Sequence, residues 1–116
     1  MAVIAKWGNK KWEISSKKLN PVNEISIDMG YNTDEKRKEK RTVKVPYKVY
    51  KEFGVDVENE INSWYEELGK AAGLYIGSKR FGPKLLKLTN VSASAIQATD
   101  TGVIRSAEFS LDFEEV

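Results

Sequence analysis

The fold of this chain is decided by residues 73–116, which read GLYIGSKRFGPKLLKLTNVSASAIQATDTGVIRSAEFSLDFEEV. This C-terminal segment holds three stretches with strand character, separated by two turns that contain glycine. Its last stretch alternates apolar and polar residues, which is the period of a strand with one buried face. The inward positions are predicted to be Val103, Ala107, Phe109, Leu111 and Phe113. We therefore expect this segment to form the scaffold and the earlier residues to cover or flank it.

The middle stretch of this segment changes parity along its length. Leu86 and Leu88 share one face of an extended chain, whereas Val91 falls on the opposite parity. Such a change arises where one extra residue is inserted into a strand. The pattern predicts a β-bulge near Asn90 or Ser92, or a strand that crosses from one sheet to another.

An N-terminal hairpin is predicted around Gly8 and Asn9, because glycine accepts the positive φ of a two-residue turn and the flanking residues alternate. Trp7 and Trp12 flank this turn, and we expect them to close one end of the core. A second, half-buried strand is predicted over residues 22–29, where apolar and polar residues again alternate.

A further strand is predicted over residues 42–50, where β-branched and aromatic residues are enriched. Pro46 has no N–H for a sheet ladder, so it must lie on an edge, at a bulge, or with its nitrogen directed away from a neighbour. An edge of this kind either docks another chain or is simply protected from aggregation. Under the first interpretation, Pro46 and Tyr47 are candidate partner-binding residues.

One helix is predicted at about residues 56–68. Asp56 is a suitable N-cap, and Gly69 is suited to the left-handed conformation that ends a helix. The apolar residues between them recur at helical spacing, so they are expected to form a stripe that packs on the sheet. The predicted stripe consists of Val57, Ile61, Trp64, Tyr65 and Leu68.

Residues 34–41 are all charged, five basic and three acidic, and their sum equals the net charge of +2 of the whole chain. Because the burial of unpaired charges is costly, residues 30–41 are predicted to be exposed, and we call them the charged arm. The arm is a solvated loop, a segment that orders against a neighbouring subunit, or a contact for anions or nucleic acid. Under the second interpretation, the candidate partner-binding residues are Lys36, Arg37, Lys38 and Arg41.

The chain contains neither cysteine nor histidine. This removes disulfides, thiolate nucleophiles, the commonest general base and the commonest transition-metal ligand. Glu66 and Glu67 are adjacent, as are Glu114 and Glu115, but neighbouring residues of a helix or strand point to different sides and do not form a catalytic pair. The sequence therefore predicts no enzyme activity, no metal and no cofactor.

Together these patterns predict one domain, residues 1–116, of the α+β class and mainly β. We expect an antiparallel β-barrel or sandwich covered by the one helix. No stretch approaches the roughly 20 apolar residues that span a bilayer, and the N-terminus lacks the apolar region of a signal peptide. No membrane partner is expected, and the cytoplasm is the expected site of folding.

The order of these segments resembles that of a phage tail protein. Residues 5–18 read AKWGNKKWEISSKK, the helix carries VENEINSW at 57–64, LYIG follows at 74–77, and the chain closes with TGVIRSAEFSLDFEE at 101–115. These features are similar to small baseplate or tail-tube-end proteins of contractile phages and of phage-tail-like bacteriocins of Gram-positive bacteria. They also resemble the N-terminal barrel of LysM-bearing baseplate hub proteins, but these residues include no LysM module, so peptidoglycan binding is not implied.

The resemblance implies a structural role without catalysis. It implies a homo-oligomeric ring or hub that contacts other tail and baseplate proteins, first in the cytoplasm of the bacterial host and then in the virion tail or tail-like particle. The alternative is a small nucleic-acid-binding β-barrel that uses the basic loop 36–51 and the nearby aromatics Tyr47, Tyr50 and Phe53. The small net charge weighs against this alternative, because nucleic-acid binders concentrate a larger basic excess on one face.

Overall fold

The computed structural model describes residues 2–14 and 24–116. They form a mainly β, α+β fold of curled antiparallel sheets with one helix, similar to a half-barrel or sandwich. The predicted fold class is therefore confirmed. Residues 22 and 23 of the predicted strand 22–29 lie outside the described residues.

The strands and helices follow the chain in a simple order. They are β1 (Ala2–Trp7), β2 (Lys10–Ile14), β3 (Ser26–Asp28), β4 (Tyr31–Asn32), β5 (Arg37–Lys38), β6 (Thr42–Tyr50), a 3-10 helix (Lys51–Phe53), α1 (Val57–Glu67), β7 (Ala71–Ala72), β8 (Leu74–Ile76), β9 (Lys79–Arg80), β10 (Leu86–Ala98) and β11 (Ile104–Glu115).

Three sheets are built from these strands. The larger has the order β3-β6-β11-β10-β7, the second has the order β2-β1-β8-β9, and β4 pairs only with β5 in a small hairpin. β11 lies at the centre of the larger sheet and pairs with β6 on one side and β10 on the other. The C-terminal segment thus supplies strands to both larger sheets, whereas β6, from the first half of the chain, is an integral part of the larger one.

The core lies where the two larger sheets and α1 meet. The three tryptophans of the chain come together there: Trp64 of α1 stacks on Trp7 at 6.3 Å and on Trp12 at 5.9 Å between ring centroids. Phe113 contacts Trp7 at 5.0 Å, and the Trp7 indole N–H donates to the carbonyl of Leu86 at 3.1 Å. The prediction that the hairpin tryptophans close the core is confirmed by their burial.

The helix begins and ends where the sequence predicts. The Asp56 side chain accepts a hydrogen bond from the Asn59 backbone N–H at 3.1 Å, and Gly69 has a left-handed φ of 86°. The predicted stripe is wrong at its C-terminal side, because Tyr65 is 76% exposed and Leu68 is 37% exposed. Tyr65 directly follows the buried Trp64, and about 100° of rotation per residue takes it off the sheet.

The strand faces of β6 and β11 are largely as predicted. In β6 the valines and Tyr47 of one face are all buried, and in β11 the inward set from Ala107 to Phe113 is buried as well. The prediction for Val103 is wrong: this residue lies in the turn before β11 and is exposed, while Ile104, on the opposite parity, packs against the core. Met29, an apolar residue of the predicted strand 22–29, is exposed, because β3 ends at Asp28.

The predicted bulge is confirmed in β10. The pairing register with β11 shifts between Leu88 and Asn90, which turns Val91 back towards the core. A second shift lies between Ser94 and Gln97, where Ala95 has a positive φ of 50°. Beyond this point β10 is exposed, so the distal end of the β10–β11 hairpin extends past the core of a molecule that measures 55 × 30 × 22 Å.

Candidate partner-binding surface

The charged arm folds as a short hairpin. Tyr31 and Asn32 pair with Lys38 and Arg37, and the Asn32 side-chain oxygen accepts a hydrogen bond from the Glu35 backbone N–H at 2.9 Å. Residues 33–40 are all exposed. Asparagine favours such a turn because its side chain bonds to the backbone a few residues on. Of the candidate residues, Lys36, Arg37 and Lys38 all lie on this exposed hairpin.

Charges within the arm are partly neutralised by their neighbours. Arg37 forms an ion pair with Glu35 at the hairpin tip, and Lys40 lies 3.6 Å from Glu114 of β11. Within the described residues, no ion pair is found for Lys36 or Lys38. These two ammonium groups are therefore the basic side chains of the arm that remain available to a partner.

Arg41 fixes the base of the arm to the end of β11. Its guanidinium donates to both carboxylate oxygens of Glu115, at 3.2 and 3.0 Å, and its backbone N–H donates to one of them at 3.0 Å. The Glu115 backbone N–H donates in return to the Arg41 carbonyl at 2.9 Å. Bidentate pairing of this kind is geometrically specific, so Arg41 serves as an anchor of the arm.

This pairing changes the acidity of Glu115. Hydrogen bonds from the Arg41 side chain and backbone lower the pKa of Glu115 from 4.5 to about 2. The same contact raises the pKa of Arg41. The anchor is therefore fully ionised across the neutral range.

A cleft of about 700 Å³ separates the arm from the end of β11. It carries charges of both signs beside two exposed apolar side chains, Met29 and Val116. Lys38 and Arg41 line this cleft, whereas Lys36 and Arg37 do not. Its mixed character suits a mixed-charge protein surface better than a phosphate backbone.

Pro46 lies away from the arm, further along β6. It is opposite Ser110 of β11, and β3 pairs with β6 only at residues 42–44. In the part of the chain that the structure describes, no strand covers this side of β6 at Pro46. β6 is therefore an internal strand at residues 42–44 and an edge strand from Pro46 onward. Because a strand rises by about 3.4 Å per residue, Pro46 lies about 17 Å from Arg41 along the strand.

Tyr47 is a core residue. Its ring is 1% exposed, stacks on Phe109 at 5.0 Å and meets Trp12 edge-on at 5.9 Å. Its hydroxyl donates to Glu60 at 2.8 Å and accepts the indole N–H of Trp64. Burial, reinforced by the charge of Glu60, raises the pKa of Tyr47. The side chain of Tyr47 therefore joins β6 to α1 and is withdrawn from any exposed contact surface.

The surface needed by the nucleic-acid alternative is fragmented. Residues 42–50 are a strand instead of a loop, and the burial of Tyr47 removes one aromatic ring. Tyr50 and Phe53 contact each other at 5.4 Å, with Phe53 46% exposed. Lys48 forms an ion pair with Glu108 at 2.7 Å, which raises the pKa of Lys48. The ammonium therefore stays charged, but the Glu108 carboxylate offsets that charge. Stacking platforms combine several exposed rings with unpaired cations. Of Tyr47, Tyr50 and Phe53, only Phe53 has an exposed ring.

Residues 2–14 and 24–116 contain no cluster of acidic side chains that could hold a metal ion. Within the same ranges, no helix has the length and apolar character required to cross a membrane.

Sequence reasoning missed the two glutamates that anchor the arm. Glu114 and Glu115 were considered only as a catalytic pair, but their contacts depend on the register that places Glu114 opposite Thr42. That register is set by the alternation of β6 and β11, and the complementary charges at positions 40–41 and 114–115 were the available signal.

Comparisons with models of known protein families and with curated proteins found no match for this chain.

Proposed function

We propose that this protein is a structural, non-enzymatic component of a phage tail or phage-tail-like particle, and that it joins tube, hub or baseplate proteins through ring-type oligomerisation. The proposal starts from the resemblance in segment order. Its main structural support is the charged arm, an exposed hairpin whose base is held to β11 by Arg41 and Glu115. The β-rich fold with one helix is the fold that the resemblance implies.

An arm of this kind suits a contact between ring subunits. Rings are built from heterologous contacts, in which one surface meets a different surface of the next copy. A hairpin that is already folded loses less conformational freedom on binding than a disordered tail would lose. Because Lys36 and Lys38 are exposed beside Asp34 and Glu39, the complementary surface is expected to carry charges of both signs.

The test is to remove the arm without disturbing its anchor. Residues 31–38 are replaced by Asn-Gly, a two-residue hairpin turn, because the Glu39 N–H already bonds to the Gly30 carbonyl at 2.9 Å. The variant is expected to unfold at the same urea concentration as the parent. Mixed with phage tail and baseplate proteins, the variant should fail to form the rings or stacks that cryo-microscopy is expected to show for the parent.

A charge variant separates the chemistry of the arm from its presence. Lys36→Glu combined with Lys38→Glu keeps the hairpin and should weaken assembly, whereas Lys51→Glu changes an exposed lysine off the arm and should leave assembly intact. Unchanged assembly after arm replacement would remove the arm from the proposal. A parent protein that stays monomeric with every tail partner would overturn the proposed function itself.

A further inference from the structure

Edge strands are open to pairing with other chains, so natural proteins protect them with charges, proline, bulges or short length. Most free edges of the described sheets follow this rule. β2 carries Lys10, Lys11 and Glu13, β6 carries Pro46 and Lys48, and β3, β7 and β9 are only two or three residues long.

The edge of β10 is the exception. β7 pairs with it only at Leu86 and Lys87. The Gly69 N–H donates a hydrogen bond to the Leu88 carbonyl, and the Leu88 N–H donates one to the Lys70 carbonyl. Beyond that point no described strand pairs with its outer side. No charged residue and no proline occurs between Lys87 and Asp100.

Two of the three register shifts of β10 define the length of this open edge. Residues 90–94 pair with β11 in unbroken register, and the register shifts on either side of them. Asn90, Ser92 and Ser94 are exposed on one face, and Val91 and Ala93 are partly buried on the other. Residues 90–94 are thus a regular strand segment of ordinary length, and no described strand pairs with its outer backbone groups.

We propose that residues 90–94 of β10 pair antiparallel with the same residues of a second copy of this chain. The occupant follows from self-complementarity. Pairing centred on Ser92 places Ser92 opposite its copy, Val91 opposite Ala93, and Asn90 opposite Ser94. Every pair then joins small or uncharged side chains on the same face, so no like charges meet.

Other edges of the chain fit β10 less well. The open part of β6 begins with Pro46, which lacks an N–H, and carries Lys48. The two-fold pair is an isologous contact that uses none of the arm residues, so it leaves the arm free for heterologous contacts. A contact limited to one strand edge falls at the small, weak end of protein interfaces, so the dimer is expected to depend on concentration.

The absence of cysteine allows a direct test. In a Ser92→Cys variant the two sulfurs face each other across the two-fold axis, at the separation of directly opposed strand residues, which permits a disulfide. Mild oxidation should convert the 13.1 kDa chain to a covalent dimer of twice that mass on a non-reducing gel. Ser94→Cys is the matched control on the same exposed face, where the four-residue offset separates the two sulfurs by about 13 Å and should prevent the bond.

A second variant tests the contact without a crosslink. Ser92→Lys places two ammonium groups opposite each other, and sedimentation should show loss of the concentration-dependent dimer while circular dichroism shows an intact fold. Equal crosslinking of the two cysteine variants, or a parent that sediments as a monomer at every concentration, would overturn the pairing. A failure of arm-dependent assembly leaves these readouts unchanged, so the two proposals are tested separately.

Discussion

The two ends of β10 belong to one strand but lie in opposite environments. The side chains of Leu86 and Leu88 are fully buried, and the Trp7 indole N–H donates a hydrogen bond to the Leu86 carbonyl. At Ile96 the side chain is 48% exposed, and Ala95 has a left-handed backbone. Strand pairing alone therefore does not make a core, because burial also requires a second layer. Among the described residues, β1, β2 and α1 supply that layer at the Leu86 end only.

The largest expected effect comes from breaking the packed end. Trp64→Ala removes a buried indole that stacks on two other tryptophans, and a cavity of this size should lower the free energy of unfolding by about 3–5 kcal/mol. Ile96→Ala at the other end should change it by less than about 0.5 kcal/mol. Urea unfolding followed by tryptophan fluorescence measures the first, and circular dichroism measures both. Equal losses would contradict the contrast between the two ends.

A smaller effect is expected where β6 meets α1. Tyr47→Phe keeps the ring but removes the hydroxyl between Glu60 and Trp64, which leaves a buried N–H without its acceptor and should cost about 1–3 kcal/mol. Assembly with tail partners should be unaffected, because the ring is buried. Tyr50→Phe is the control on the same strand and should have little effect on unfolding. Weakened assembly with an unchanged free energy of unfolding would indicate that Tyr47 contacts the partner.

The projecting end of β10 should be easier to improve than to damage. Ala95→Gly relieves a left-handed conformation that costs an L-residue about 1–2 kcal/mol. The glycine also raises the entropy of the unfolded chain, which offsets about 0.4–1 kcal/mol of this gain in stability. The expected result is a slightly higher urea midpoint. Ala93→Gly, in extended backbone two residues away, should lower the midpoint by the equivalent of about 0.5–1 kcal/mol. A loss in both variants would show that the bulge does not strain Ala95.

The smallest effect concerns the arm anchor and acid. The pKa of Glu115 is depressed in the folded chain from 4.5 to about 2, so the stabilisation by Arg41 is complete above about pH 4.5 and is lost as the pH falls towards 2. Glu115→Gln should make the free energy of unfolding less dependent on pH in this window. Near pH 7 the slope of the free energy of unfolding against pH should be the same in the variant and the parent. The exposed Glu52→Gln is a control that should keep the parent profile. An identical acid profile for Glu115→Gln would exclude the anchor as its source.

Much of the fold could be predicted because its signals are local. The capping of α1 by Asp56, the left-handed Gly69 and the alternation that ends at Phe113 each depend on neighbouring residues. The parity change around Asn90 located the bulge for the same reason. Tyr65 could not be placed in this way, since helical spacing gives a direction but not the width of the surface that the helix meets.

The candidate surface was harder to predict because it depends on distant pairs. The exposure of residues 34–40 follows from their charge, but the anchoring of Arg41 requires the register between β6 and β11. The placement of Tyr47 in the core follows from the approach of α1 to β6, which places Glu60 and Trp64 beside its hydroxyl. The absence of charge along residues 88–99 of β10 is visible in the sequence, but the lack of a described strand beside residues 90–94 is a property of sheet order.

Hydrogen exchange, measured on the chain alone and on the chain mixed with phage tail and baseplate proteins, tests the proposed role of the charged arm. We predict that assembly slows exchange at the backbone amides of the charged arm, residues 31–40, while amides of the packed end around Leu86, Leu88 and Phe113 keep the protection they have in the free chain. Assembly that leaves the arm amides unprotected and changes exchange only at the packed end would contradict a role of the arm in assembly.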